Sequence, residues 1–163
     1  MIRLSLVGVR AEVPTNQPIV LLREEEGQRY LPIFIGAPEA TAIMFAVEGM
    51  ETPRPMTHDL FKKVLDDMSV RLEQVVITDL QDGTFFAELQ LASNGTSYRV
   101  SSRPSDAIAL AVRFETPVPI FAEEAVLDEA GVLFESNDET NQEHQVEEFR
   151  EFLDQVRPED FAQ

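Results

Sequence analysis

The sequence predicts an α+β domain: an antiparallel or mixed β-sheet packed with three helices, then a polar linker and a C-terminal helix. Three observations carry this expectation. The dipeptides Asp82-Gly83 and Asn94-Gly95 separate three runs of strand-forming residues, and both favour the positive φ angles of tight hairpin turns. Three other segments place apolar residues at three- and four-residue spacing, each opening near a proline. After Gly131 the composition turns polar and acidic.

Taken in order, residues 2–13 read as a strand. Leu4 and Leu6 alternate on one phase, and Val7, Val9, Ala11 and Val13 on the other, so the phase change beside Gly8 predicts a bulge. Residues 18–23 and 29–35 are two further strands, with Glu26-Gly27 suited to the loop of a hairpin. Residues 70–101 form a three-stranded meander through Val75-Val76-Ile77, the run from Phe85 to Leu91, and Tyr98-Arg99-Val100. The first helix covers about 38–47, with Ala40, Ile43, Met44 and Val47 on one face. The second covers about 57–68 and is expected to turn Leu60, Phe61, Val64, Leu65 and Met68 inward. The third, about 104–114, is apolar all round from Ala107 to Val112, which predicts a buried central helix. The stretch from Glu135 to Asn141 is a polar linker, and Val146, Phe149, Leu153 and Val156 then recur at helical spacing. The expected division is therefore a domain over 1–134 and an acidic linker with an amphipathic helix over 135–163. No internal repeat is evident.

At 163 residues, 44% hydrophobic and 26% charged, the chain reads as globular. It has no Cys, which excludes disulfides, thiolate metal sites and a Cys nucleophile. The first residues carry Arg3, Arg10 and Glu12, too charged a start for a signal peptide or membrane span, so the expectation is a cytoplasmic protein with no membrane partner. A net charge of −17 argues against nucleic acid as a ligand, but its distribution matters more. Residues 121–163 hold 14 Asp/Glu against 2 Arg, leaving the body only mildly acidic and free to present a local basic surface.

Three short polar motifs sit at helix starts. In Gly36-Ala37-Pro38-Glu39, the proline and the acid suit a first helical turn and its dipole, while Glu39 could also act as a metal ligand or general base. In Arg54-Pro55-Met56-Thr57-His58-Asp59, Thr57 suits an N-cap, yet a capping Thr needs neither His58 nor Arg54 beside it. In Ser102-Arg103-Pro104-Ser105-Asp106, Ser102 or Arg103 would cap the apolar helix and Arg103 could pair with Asp106, or Arg103 could contact phosphate. Phosphate-cradling glycine loops, dinucleotide fingerprints and nucleophile elbows are absent. Trp is absent, and the aromatics sit in apolar patterns with no base-stacking platform standing out.

Together these motifs resemble the bifunctional nuclease domain family. The resemblance rests on Leu31-Pro32-Ile33-Phe34-Ile35-Gly36 with Glu39-Ala40, on Arg54-Pro55 with Thr57-His58-Asp59-Leu60, and on the run from Ser102 to Ala111, and it covers about residues 1–133. It implies nuclease activity on DNA and RNA. In that reading His58 transfers a proton, and Asp59, Glu39 and Asp106 are the catalytic carboxylates and the candidate ligands of Mg²⁺ or another divalent cation. Arg54, Arg103 and Ser105 would bind the substrate phosphate. The other His, His144, lies in the tail, so a metal-independent route through two histidines is not expected. A homo-oligomer, most simply a dimer, is a further expectation. The competing reading is a non-catalytic regulatory or binding protein that uses the same helix starts for a small anionic ligand or a protein partner.

Overall fold

The computed structural model describes residues 1–133, so the expected linker and C-terminal helix fall outside the described residues. Strands β1 (Ile2–Glu12), β2 (Gln17–Glu24) and β3 (Arg29–Phe34) form one antiparallel meander. Strands β4 (Arg71–Gln81), β5 (Thr84–Ser93) and β6 (Thr96–Ser102) form another. The bulge expected at Gly8 is present: the β1–β2 register shifts between Leu6 and Gly8. Both expected hairpin turns form, with φ of 48° and 76° at Asp82 and Gly83 and of 50° and 79° at Asn94 and Gly95.

Two short strands not expected from the sequence complete the sheet. β7 (Ile120–Ala122) runs parallel to β4 and antiparallel to β1, joining the meanders, and β8 (Val132–Leu133) closes the far edge against β3. The result is one mixed eight-stranded sheet in the order β6-β5-β4-β7-β1-β2-β3-β8. Segments of three and two residues are too short to display the period-two pattern by which strands are recognised.

Four helices accompany the sheet where three were expected among these residues: α1 (Ala37–Val47), α2 (Thr57–Asp67), α3 (Pro104–Ala111) and α4 (Glu124–Ala130). At seven residues α4 is less than two turns long, which hides it in sequence. Arg29 of β3 anchors it, pairing with Glu124 at 2.8 Å and Asp128 at 3.0 Å while also holding Glu24 of β2 at 3.0 Å. The all-apolar α3 is buried as expected. Every residue in it except Asp106 is buried, and it packs on α1, α2, β4 and β5. It ends at Ala111, before Phe114, with Val112 as its C-cap.

Helix α2 departs from expectation in two respects. Its N-cap is Met56, so Thr57 is the first helical residue, and the Met56 amide is satisfied instead by the Asp59 carboxylate at 2.9 Å. Its apolar stripe is also not inward: Leu65 alone is buried, whereas Leu60, Phe61, Val64 and Met68 are 55%, 40%, 42% and 67% exposed. The helix rests mainly on α3 and β4, too narrow a support to cover a stripe of that width.

Candidate functional site

The buried helix α3 meets both α1 and α2, so the starts of three helices converge. A chain of four polar side chains links them. Arg103, the N-cap of α3, donates from Nε to Asp106 Oδ2 at 2.7 Å and forms an ion pair through Nη2 with Glu39 Oε1 of α1 at 3.1 Å. Asp106 Oδ1 in turn meets His58 Nε2 of α2 at 3.1 Å. Glu39, Arg103, Asp106 and His58 are thus brought together, as the three motifs anticipated.

Local sequence explains each placement. Glu39 stands three residues after the N-cap Gly36, and its carboxylate folds back over that glycine so closely that a Cβ at residue 36 would collide with Oε2. Pro38 and Pro104 occupy first-turn positions, where a missing N–H costs nothing. Asp106 is the one residue of α3 that is not buried, so it is where that helix can hold a charge.

The chain grades from buried to exposed. The His58 side chain is 13% exposed and Arg103 is 65% exposed. Burial works to raise the Asp106 pKa, but hydrogen bonds from Arg103 and His58 outweigh it and hold the carboxyl below its ordinary range. The Asp106 contact raises the pKa of Arg103. Nε2 of His58 faces the Asp106 carboxylate, which leaves Nδ1 as the ring nitrogen not engaged by it.

Glu39, Arg103 and Ser105 line a cleft of about 290 Å³ whose other walls include Phe34, Phe85 and Gly36. His58 and Asp106 are not part of its walls and connect to it through Arg103.

Two expected site residues stand apart from this chain. Asp59 accepts from Arg113 Nε at 2.6 Å and from the Met56 amide, so its carboxylate ties α2 to the end of α3. Arg54 is exposed in the loop before α2 and forms no ion pair among the described residues. Among the described residues no group of three or more His, Asp or Glu is placed to hold a metal ion. Arg113, whose side chain is 5% exposed, escaped the sequence reading. The signal available was a cation two residues beyond the end of an otherwise apolar helix.

Asp59 sits, like Asp106, below the ordinary aspartate value near 3.8: burial would raise it, and hydrogen bonds from Arg113 and the Met56 amide prevail. A carboxylate with a depressed native pKa stabilises the fold fully above the unfolded value and loses that contribution as pH falls through the native one. Both aspartates therefore stabilise the fold at neutral pH and lose that contribution as the pH falls below about 4. Arg113→Met is expected to lower stability at neutral pH and to flatten the acid limb, because Asp59 loses its partner. Urea midpoints from neutral to strongly acid pH check this, and parallel curves for the variant and the native chain would contradict it.

Comparison with known proteins bears on what the site does. The profile of the bifunctional nuclease domain matches residues 20–135, a span that includes all of the candidate site. A protein of Mycobacterium tuberculosis, described only as uncharacterized, is 50% identical over 161 residues, which is 96% of this chain and 95% of its own length. Bifunctional nuclease 2 of Oryza sativa subsp. japonica is 32% identical over 108 residues, or 64% of this chain. Bifunctional nuclease 1 of Arabidopsis thaliana is 30% identical over 107 residues, or 63% of this chain. In both plant proteins the match spans 33% of their length. With more than half of its length matched by that profile, the chain belongs to the bifunctional nuclease domain family.

Proposed function

We propose that this chain is a phosphodiester hydrolase acting on DNA and RNA, with its reacting groups at the Glu39–Arg103–Asp106–His58 chain. The observation that carries the reading is that Glu39 and Arg103 of this chain line a cleft, with Asp106 and His58 linked to Arg103 by hydrogen bonds, within the stretch matched by the nuclease domain. Arg103, two-thirds exposed at a helix start, is the group for a substrate phosphate, and Ser105 lies beside it. His58, oriented by Asp106 as an imidazole is oriented by a carboxylate in a triad, is the proton-transfer group through Nδ1. Arg54, exposed and without an ionic partner among the described residues, is available to a longer substrate. Asp59 supports the site by holding α2 in place through Arg113.

A divalent cation such as Mg²⁺ fits these residues poorly as they stand. Asp59 is committed to Arg113, and the guanidinium of Arg103 occupies the space between Glu39 and Asp106 where a cation would have to sit. No step is therefore assigned to a metal.

The second reading, a non-catalytic binding or regulatory protein, is favoured by the pairing of Arg103 with two carboxylates at once. An arginine so neutralised is a weaker phosphate ligand than a free one. His58→Ala separates the readings: general acid–base help is typically on the order of 10²–10⁴ in rate, and the nuclease reading expects a loss of that size on single-stranded DNA and RNA. Equal turnover by the variant and the native chain, or no turnover by either alongside retained nucleic-acid binding, would favour the binding protein.

A homodimer and a cytoplasmic location belong to the same proposal. The exposed stripe of Leu60, Phe61, Val64 and Met68 supports the first, since an apolar face of this kind marks an association surface. Among the described residues no helix is long and apolar enough to cross a membrane. Sedimentation of the full chain is expected to give a dimer that Phe61→Glu converts to monomer; a native chain that sediments as a monomer at every concentration would remove the dimer.

A further inference from the structure

The cleft beside Arg103 has a second, apolar half that the phosphate chemistry leaves unused. Phe34, the last residue of β3, is 49% exposed although it follows two core positions, Leu31 and Ile33, and stands next to buried Ile35. Phe85, at the start of β5, lines the same cleft and is partly packed on the core. An aromatic ring left half in solvent at the mouth of a cleft, next to a guanidinium, offers a flat apolar face near a phosphate ligand.

Ser105 supplies an independent sign of a ligand. It is 93% buried, being 7% exposed, and it lines the cleft. Its hydroxyl makes no hydrogen bond among the described residues. Yet among those residues no sealed side-chain oxygen lacks a partner, so this hydroxyl opens on the cleft. A hydroxyl with no internal partner and access to the cleft is free to hydrogen-bond a ligand that enters it.

We propose that this cleft holds one unpaired nucleobase, stacked on Phe34 and hydrogen-bonded by Ser105, with the adjoining phosphate at Arg103, so that the protein selects single-stranded over duplex nucleic acid. The inference rests on the nuclease reading for the identity of the ligand and adds the form it takes. Stacking needs the face of a base, and within a duplex both faces are covered by neighbours while only the edges reach the grooves. A cleft of about 290 Å³ whose lining includes Ile33, Ile35 and Gly36 is of a size to accommodate a single base entering from solvent. Phenylalanine stacks on any base, so the site is indifferent to sequence.

The test uses the full chain and a short fluorescent phosphorothioate oligothymidine, which resists cleavage, with anisotropy as the readout. The matching duplex and an abasic strand of equal length serve as comparisons. Expected is tighter binding of the single strand than of either. Phe34→Ala should weaken it by about 5- to 150-fold, the range found for loss of one stacking aromatic, and Phe34→Trp should retain it. Phe34 is half exposed, so its loss is tolerated by the fold. Equal affinity for duplex or abasic strand, or an unchanged affinity in Phe34→Ala, overturns the base site while leaving the nuclease reading to stand on turnover. Absence of both binding and turnover in the native chain overturns the two together.

Discussion

A helix buried on every side can carry a charge only where it opens, and α3 is such a helix. Its apolar residues from Ala107 to Ala111 have no access to solvent and pack against α1, α2, β4 and β5. Each large apolar side chain so placed contributes on the order of 1.5–3 kcal/mol, so α3 cannot move without dismantling the core. What it leaves free is Asp106 in its first turn and an arginine just outside each end, Arg103 and Arg113. The site is assembled on those three residues.

The two arginines act as clamps on the neighbouring helices. Arg103 reaches the first-turn acid of α1, and Arg113 reaches that of α2. Glu39 and Asp59, similar in sequence as acids following a proline or an N-cap, thereby take different roles. Glu39 faces the cleft beside an exposed guanidinium, while Asp59 pins α2 through an arginine that is almost fully buried. Because α2 is held mainly through α3 and β4, the orientation of His58 depends on this pin as well as on Asp106. The cost of holding α2 at the periphery is its exposed apolar stripe.

Much of this was legible in the sequence, wherever the signal was local. Asp-Gly and Asn-Gly specify their turns by backbone conformation, the bulge at Gly8 is visible as a phase change, and an apolar run as dense as that of α3 has no reading other than burial. The convergence of Glu39, His58, Arg103 and Asp106 was suggested by their common placement at helix starts. What escaped depends on tertiary context. β7 is three residues long, yet its parallel pairing with β4 is what unites the sheet. The stripe of α2 has the spacing of an inward face, and only the limited support beneath it leaves it outside. Phe34 reads as part of a strand's apolar pattern, and its half-exposed ring acquires meaning only once the β4–β5 turn and the start of α3 form the opposite wall. Arg113 pairs across 54 residues, a separation that carries no local signature.

The central claim is that three helix starts and the cleft beside them form one ligand site. Amide chemical-shift mapping with a short single-stranded oligonucleotide tests it most directly. The account predicts that Phe34, Gly36, Glu39, His58, Arg103 and Ser105 shift together along one binding curve, with the exposed edge strand β6 unaffected. Shifts confined to β6 or to α2 beyond its first turn, or separate curves for the three helix starts, would contradict it.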